Sequence, residues 1–256
     1  MKSLNNMNKD RFVKFQSNIE NTWFKRMTWN GLYNNESWPT INVMKFLKEA
    51  KPFEGTTFSN INDFWKFINK IKIDYAKWCQ NIEDLNDNEV EALQKFFIGC
   101  IGEYFFVTLF KEQNILVINN KLYRFDYVCP RLDDEKDYGV DLTGVVSNST
   151  ENKSYECALQ VKFWNPFNKD FEMTYDILSR VFTDAILNDF IDKNENRNIF
   201  VCWLNDDKNV SKALRQSPIW DHIIFIGKKE LNDNINGKFP EFWNILIENL
   251  NINYFQ

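Results

Sequence analysis

Apolar residues recur at helical spacing in the first third of the chain. Between positions 61 and 79 they stand three or four residues apart, which predicts an amphipathic helix; they are Ile61, Phe64, Trp65, Ile68, Ile71, Tyr75 and Trp78. The opposite face carries Lys66, Lys70 and Lys77. These lysines would contact phosphates if the helix binds nucleic acid, but an ordinary solvated helix face is the simpler interpretation.

A second helix is predicted from about Glu89, after an Asn-Asp-Asn break at 86–88. Its middle, residues 96–110, is almost entirely apolar and would be about 22 Å long, too short for the hydrocarbon core of a membrane. We therefore expect a helix that is buried on nearly all sides. Gly99 and Gly102 within it would permit the close approach of another backbone.

After this helix the apolar pattern changes from a helical to a strand-like period. The predicted elements, in chain order, are strands at 121–128, 138–147 and 155–163, a helix at 175–191, a strand at 199–204, a short helix at 210–216, a strand at 222–226 and a helix at 239–250. A helix, three strands, a helix and a strand in succession predict an α/β fold, in which a mixed central sheet is flanked by helices.

The cysteines and the histidine exclude several kinds of site. The five cysteines, at 79, 100, 129, 157 and 202, form no CxxC pair, and His222 is the only histidine. A Cys/His zinc site, a Ser-His-Asp triad and a histidine-based nuclease motif are therefore excluded unless His222 carries them alone. Scattered cysteines in odd number are typical of a reducing compartment, so we expect a cytoplasmic protein.

Charge is distributed unevenly along the chain. Residues 1–88 hold 13 Lys+Arg against 10 Asp+Glu, whereas residues 89–256 hold 18 against 26. We expect a helical N-terminal region at 1–88, for recognition, regulation or docking, and a catalytic domain at 89–256. The front region would hold phosphates, with Lys66, Lys70 and Lys77 as the first candidates. Its aromatic residues would stack on bases or, as is commoner, pack in the core; they are Trp23, Trp29 and Trp38.

Polar residues stand out in the predicted strands. Asp141 interrupts an otherwise apolar strand, and Gln160 and Lys162 share one face of the next strand because alternate residues point the same way. If the two strands form a hairpin, Asp141 lies beside that face. Glu103, the one charge in the middle of the buried helix, would reach the same place.

These residue types suit phosphodiester cleavage. A hard divalent cation binds carboxylate, carbonyl and amide oxygens, and it helps to ionise a water. Asp141 would supply a carboxylate, the Val161 carbonyl and the Gln160 side chain would supply neutral oxygens, and Lys162 would hold the attacking water or offset charge on the phosphate. Glu103 would bind a metal-linked water or keep Lys162 in place.

The motif resembles that of the PD-(D/E)xK nucleases. The run DYGVDLTG at 137–144, followed by ALQVKFW at 158–164, is similar to their Mrr-like restriction-endonuclease branch, in which Gln-x-Lys often replaces Glu-x-Lys. The resemblance covers roughly 89–231. It implies a helix–three-strand–helix–strand core, with Asp141 as the metal aspartate, Gln160 at the second acidic position, Lys162 as the lysine and Glu103 as the helix glutamate.

The same resemblance implies an activity. Such families carry out Mg²⁺-dependent DNA cleavage in restriction or phage defence, so we expect a Mg²⁺ or Mn²⁺ endonuclease that cuts double-stranded DNA as a homodimer or within a defence complex. The departure from the family is Gln160, whose neutral amide binds Mg²⁺ less strongly than a carboxylate. A fold that binds nucleic acid or a partner protein without cutting it, and an RNA-cutting effector, stay open as alternatives.

Several neighbouring polar residues have simpler roles. Taken one at a time, Asp141, Gln160 and Lys162 would fit the solvated face of an ordinary hairpin, and their order together is what favours catalysis. Asp137 and Gly139 are expected to form a turn. Glu156 shares the strand face of Gln160 and is a reserve metal ligand. His222 is expected to begin a strand.

Overall fold

The computed structural model describes residues 43–82, 84–130, 140–148, 154–163, 165, 172–187, 199–203, 210–235 and 238–252. The helices are α1 (Val43–Ala50), α2 (Ile61–Gln80), α3 (Asp87–Glu112), α4 (Tyr175–Leu187), α5 (Lys212–Arg215), α6 (Lys228–Ile235) and α7 (Phe239–Ile252), with a 3₁₀ turn at Pro218–His222. The strands are β1 (Ile115–Ile118), β2 (Lys121–Pro130), β3 (Leu142–Asn148), β4 (Ser154–Lys162), β5 (Ile199–Trp203) and β6 (Ile223–Ile226).

The six strands form one mixed sheet in chain order, β1 to β6. Pairing is antiparallel from β1 to β4, and it becomes parallel from β4 to β6, since α4 carries the chain back between β4 and β5. The predicted mixed sheet flanked by helices is therefore confirmed. The edge strand β1 and the helix α6 were not predicted from the sequence.

Helices cover both faces of the sheet, and each face has its own apolar core. The larger core joins α2, α3 and α7 to one face, which receives Leu159 and Val161 of β4. The smaller core joins α4 and the 210–220 segment to the other face, which receives Ala158 of β4. Successive residues of β4 thus point to opposite cores, as the alternating pattern of a strand requires.

The two long helices begin at asparagine caps and lie antiparallel. The Asn60 side chain accepts hydrogen bonds at the start of α2, and Asn86 forms a capping box with Glu89 at the start of α3. Aromatic contacts fix the alignment: Phe64 stacks on Phe105 at 5.4 Å between ring centroids, and Tyr75 stacks on Phe97 at 5.1 Å. Early residues of α2 therefore face late residues of α3.

Helix α3 has 26 residues and, in the described part of the chain, is the one helix long and apolar enough to cross a membrane. Most of its apolar window, 61%, is buried inside the protein. The prediction of a buried helix is confirmed, with the exception of one open stripe that faces a cleft. Burial between α2 and the sheet explains why the helix is so apolar.

Helix α2 shares the larger core with α3, although the sequence pattern assigned it to a separate front region. A domain boundary at residue 88 stays a prediction. Where the structure describes them, Cys79, Cys100, Cys157 and Cys202 are buried free thiols, as the scattered spacing predicts, and a cytoplasmic location stays a prediction. The residues Trp23, Trp29, Trp38, Asp137 and Gly139 lie outside the described residues.

Candidate active site

Asp141 lies immediately before β3, where the pairing of β3 with β4 ends at Leu142 opposite Leu159. The Asp141 backbone N–H donates to the Leu159 carbonyl at 3.0 Å and adds one more bond to the ladder. The Val161 N–H then donates to Oδ2 of Asp141 at 2.6 Å, so a carboxylate replaces the next backbone acceptor. Asp141 is therefore held just before the first residue of β3, whereas the sequence pattern predicted that it lies within the strand.

Gln160 is buried, with 1% of its surface exposed, behind Asp141. Its Nε2 donates a hydrogen bond to Oδ2 of Asp141 and lies 3.5 Å from the Val161 carbonyl oxygen. The amide nitrogen therefore faces two of the predicted ligand oxygens. Rotation of the amide group by 180° would put its oxygen, Oε1, at the position that Nε2 now occupies.

A cleft of about 740 Å³ opens beside Asp141. Its walls include Glu103, Val161 and Lys162, so four of the predicted site residues line one space. Gln160 does not line it. Asp141, Glu103 and Lys162 are each half-buried, which leaves part of each side chain accessible from the cleft.

A close contact between α3 and β4 brings Glu103 to this cleft. A Cβ at Gly102 would stand 2.3 Å from Cβ of Phe163, far inside van der Waals contact. Phe163 is itself buried and its ring lies 5.4 Å from that of Trp65. Since Glu103 follows Gly102 and Phe163 follows Lys162, this contact sets the spacing between the glutamate and the lysine.

The donor set fits a hard divalent cation. Asp141 and Glu103 offer carboxylates to the cleft and Val161 lines it, and oxygen ligands of this kind suit Mg²⁺ or Mn²⁺. Among the described residues, no group of three His, Cys, Asp or Glu side chains could hold a metal ion. Mg²⁺ commonly uses only one or two carboxylates and keeps several waters, so two carboxylates are sufficient.

Other predicted candidates do not line the cleft. Lys66, Lys70 and Lys77 are exposed on α2, and Lys66 pairs with Asp63 at 3.5 Å. Their contact with nucleic acid stays a prediction. Glu156 lies four residues back from Gln160 along β4, about 13 Å away. His222 ends the 3₁₀ turn, with its ring 5.8 Å from Phe182 in the smaller core.

Sequence reasoning missed several polar residues that line the cleft: Asn69 and Lys72 on α2, Glu91, Gln94 and Lys95 on α3, and Asn165 after β4. Asn165 accepts a hydrogen bond from the Trp65 indole at 3.1 Å. A signal was present, because Trp65, Asn69 and Lys72 recur at four- and three-residue spacing. The predicted lysines were those on the face opposite the apolar residues, whereas Lys72 lies to the side of that face.

Comparisons of the chain with protein-family models, with curated proteins and with solved structures found no match. The interpretation of the cleft therefore depends on its own residues.

Proposed function

We propose that this protein is a metal-dependent nuclease of the PD-(D/E)xK class that hydrolyses phosphodiester bonds in DNA. The observation that carries the proposal is that Glu103, Asp141 and Lys162, from α3, the start of β3 and the end of β4, line one cleft. The observed order is α3, β1, β2, β3, β4, α4, β5; apart from the additional edge strand β1, it is the helix–three-strand–helix–strand order that the motif implies, which supports the proposal. A carboxylate pair beside an ammonium group is the chemistry that phosphate hydrolysis needs.

Each residue has a defined task in this proposal. Asp141, oriented by the Val161 N–H, and Glu103 would hold Mg²⁺ or Mn²⁺, which would supply Lewis-acid chemistry to the phosphate and to water. Lys162 orients the attacking water or offsets the negative charge that develops on the phosphate. Hydrolysis adds water across one P–O bond and leaves a phosphate at one new end and a hydroxyl at the other.

Gln160 would take part as a neutral ligand. In the arrangement described, its amide nitrogen donates to Asp141. Gln160 could instead offer its amide oxygen to a bound cation, because rotation of the amide group by 180° exchanges its oxygen and nitrogen. Glutamine has nearly the shape of the glutamate in the Glu-x-Lys pattern, but its amide is neutral and its nitrogen donates hydrogen bonds.

The proposed substrate is double-stranded DNA, cut by a homodimer or within a defence complex in the cytoplasm. A second candidate is a nucleic-acid-binding module that does not cut. It is favoured by one observation, that a buried amide occupies the second acidic position. An effector that cuts RNA is the third possibility, since the phosphodiester chemistry is shared.

Metal-dependent degradation of supercoiled plasmid tests the proposal. We expect nicking and linearisation in Mg²⁺ or Mn²⁺, and none in excess chelator. A labelled RNA incubated in parallel identifies an RNA-cutting effector. Binding of either nucleic acid without breakage in any divalent metal would support the non-cutting module, and cleavage at full rate in chelator would exclude the metal mechanism.

A further inference from the structure

The cleft continues away from Asp141 as a groove between α2 and α3. One wall is a stripe of α3 whose members are Glu91, Gln94, Lys95, Ile98, Gly99 and Glu103. These residues recur on one side of the helix and span about 18 Å along its axis. The facing wall is formed by Trp65, Asn69 and Lys72 of α2.

Gly99 leaves an opening in the α3 wall. Nothing lies within 4 Å of the position that a Cβ would occupy there, in contrast to the tight contact at Gly102. A glycine in the middle of a helix destabilises the helix relative to alanine. No packing contact requires a glycine at position 99, so the open space beside it calls for another explanation.

Lys72 lies across from this opening. The ring contacts that align α2 with α3 place Lys72 at about the level of Gly99. That level is four residues, or about 6 Å, along α3 from Glu103. A phosphate bound at this level would therefore lie close to the proposed metal site along the groove.

Among the described residues, no salt bridge offsets the charge of Lys72. The side chain is half-buried, and burial lowers the pKa of its ammonium group from the ordinary value. Farther along the groove, Lys95 pairs with Glu91 at 2.6 Å, and this pairing lowers the pKa of the Glu91 carboxyl. The remaining carboxylates of the groove, Glu103 and Asp141, belong to the proposed metal site.

We propose that Lys72 and the open space at Gly99 form a phosphate subsite for the strand that is cut, near the reacting phosphate. The subsite deepens the proposed function and rests on it. A phosphodiester group fits because it is a compact anion that needs a cation on one side and room on the other. Asn69 and Gln94 add amide donors to the same walls.

Equilibrium binding in chelator tests the subsite without any cleavage. The probes are short labelled DNA as duplex and as single strand, and the matching RNA, each titrated at several salt concentrations. Lys72→Gln should weaken binding several-fold and reduce the salt slope by about 0.9 on duplex or 0.7 on single strands. Lys72→Arg should retain both, and Lys111→Gln, at the exposed end of α3, is the matched control for loss of one charge.

Two glycine variants test the open space. Gly99→Phe should abolish the Lys72-dependent part of the affinity because its ring fills the groove, whereas Gly99→Ala should keep most of it. Urea unfolding of each variant checks that the fold is intact. A preference for RNA over DNA would support the subsite and identify its source of phosphate.

The outcomes separate the subsite from the proposed chemistry. If Lys72→Gln binds every probe with unchanged affinity and salt slope, the subsite is wrong, even where the wild type cuts DNA. If the wild type binds through Lys72 and cuts nothing in any metal, the subsite stands and the nuclease proposal fails. If Lys72→Gln and Lys111→Gln lose the same amount of binding affinity, the effect comes from overall charge alone and the subsite is wrong.

Discussion

Asp141 illustrates how a single side chain can serve both the fold and the proposed chemistry. Its carboxylate accepts the Val161 N–H and the Gln160 amide at the point where the β3–β4 ladder ends. The residues and their order were predictable from the sequence, because alternation places polar side chains on known strand faces. The orientation of the Gln160 amide was not, because it depends on which oxygens lie nearby once the strands have paired.

Gln160→Glu tests whether this position faces a metal. A second carboxylate buried against Asp141 should destabilise the protein by about 3 kcal/mol in chelator at neutral pH. Each of the two carboxyl groups raises the pKa of the other, so stability should recover as the pH falls and protonates the pair. Mg²⁺ or Mn²⁺ should restore stability at neutral pH, measured as the shift in the urea midpoint relative to wild type.

Two further variants serve as controls for this measurement. Gln160→Leu should lose stability because it leaves the hydrogen-bonding groups around it unpaired, but neither metal nor acid should restore it. Gln80→Glu adds a carboxylate at an exposed position and should change little. If metal does not restore Gln160→Glu, then Gln160 is a structural residue and not a ligand.

At the scale of helices, α3 has three structural roles. Its apolar sides are buried against α2 and the sheet, Gly102 permits contact with Phe163, and its open stripe forms the wall of the groove. Burial of the helix was predictable from its composition. The stripe was not, because a helix that is apolar on nearly all sides gives no periodic signal for the side that faces a cleft.

The two glycines of α3 should respond oppositely to alanine. Gly99→Ala should stabilise the protein by about 0.5–1 kcal/mol, because alanine favours the helix and the site is open. Gly102→Ala should destabilise it by about 1–3 kcal/mol, because the new Cβ overlaps Phe163 and forces α3 away from β4. Urea unfolding of the two variants measures both effects.

The activity of the same pair carries further information. Moving α3 would shift Glu103 relative to Lys162, so Gly102→Ala should also lower the cleavage rate at saturating substrate. Replacing Phe163 with leucine in the Gly102→Ala background should recover little stability, because leucine keeps the Cβ and Cγ atoms that the new Cβ would overlap. Equal stabilisation by both alanine variants would show that the Gly102 contact does not set the distance between α3 and β4.

For the whole molecule, the succession of elements and the mixed sheet followed from the sequence. The strands β2, β3, β4, β5 and β6 lie close to their predicted positions, since their apolar runs are bounded by polar turns. The short strand β1 was not predicted although β6, of the same length, was; α6 was missed because it is mostly polar. The joining of α2 to the core of α3 was also not predictable, since helical periodicity shows which face is buried but not what covers it.

The uneven distribution of charge along the sequence does not match the distribution of charge around the cleft. The exposed lysines of α2 and the groove lysine Lys72 lie on the same helix, but only Lys72 lines the cleft. Conversely, the acidic excess after residue 88 includes Asp141 and Glu103, which line the same cleft. Charge summed along a chain therefore says less about nucleic-acid binding than the charge around one opening.

The most direct test of the central claim is the rate of DNA cleavage by wild type and by Asp141→Asn. The asparagine oxygen can still accept the Val161 N–H, whereas Asp141→Ala would leave that donor and the Gln160 amide unpaired, at a cost of about 1–3 kcal/mol. We predict that wild type cuts plasmid in Mg²⁺ and that folded Asp141→Asn cuts at least a hundredfold more slowly, with nearly unchanged DNA binding in chelator. Cleavage by folded Asp141→Asn at the wild-type rate would contradict the account, because the reaction would then not depend on the carboxylate around which the site is built.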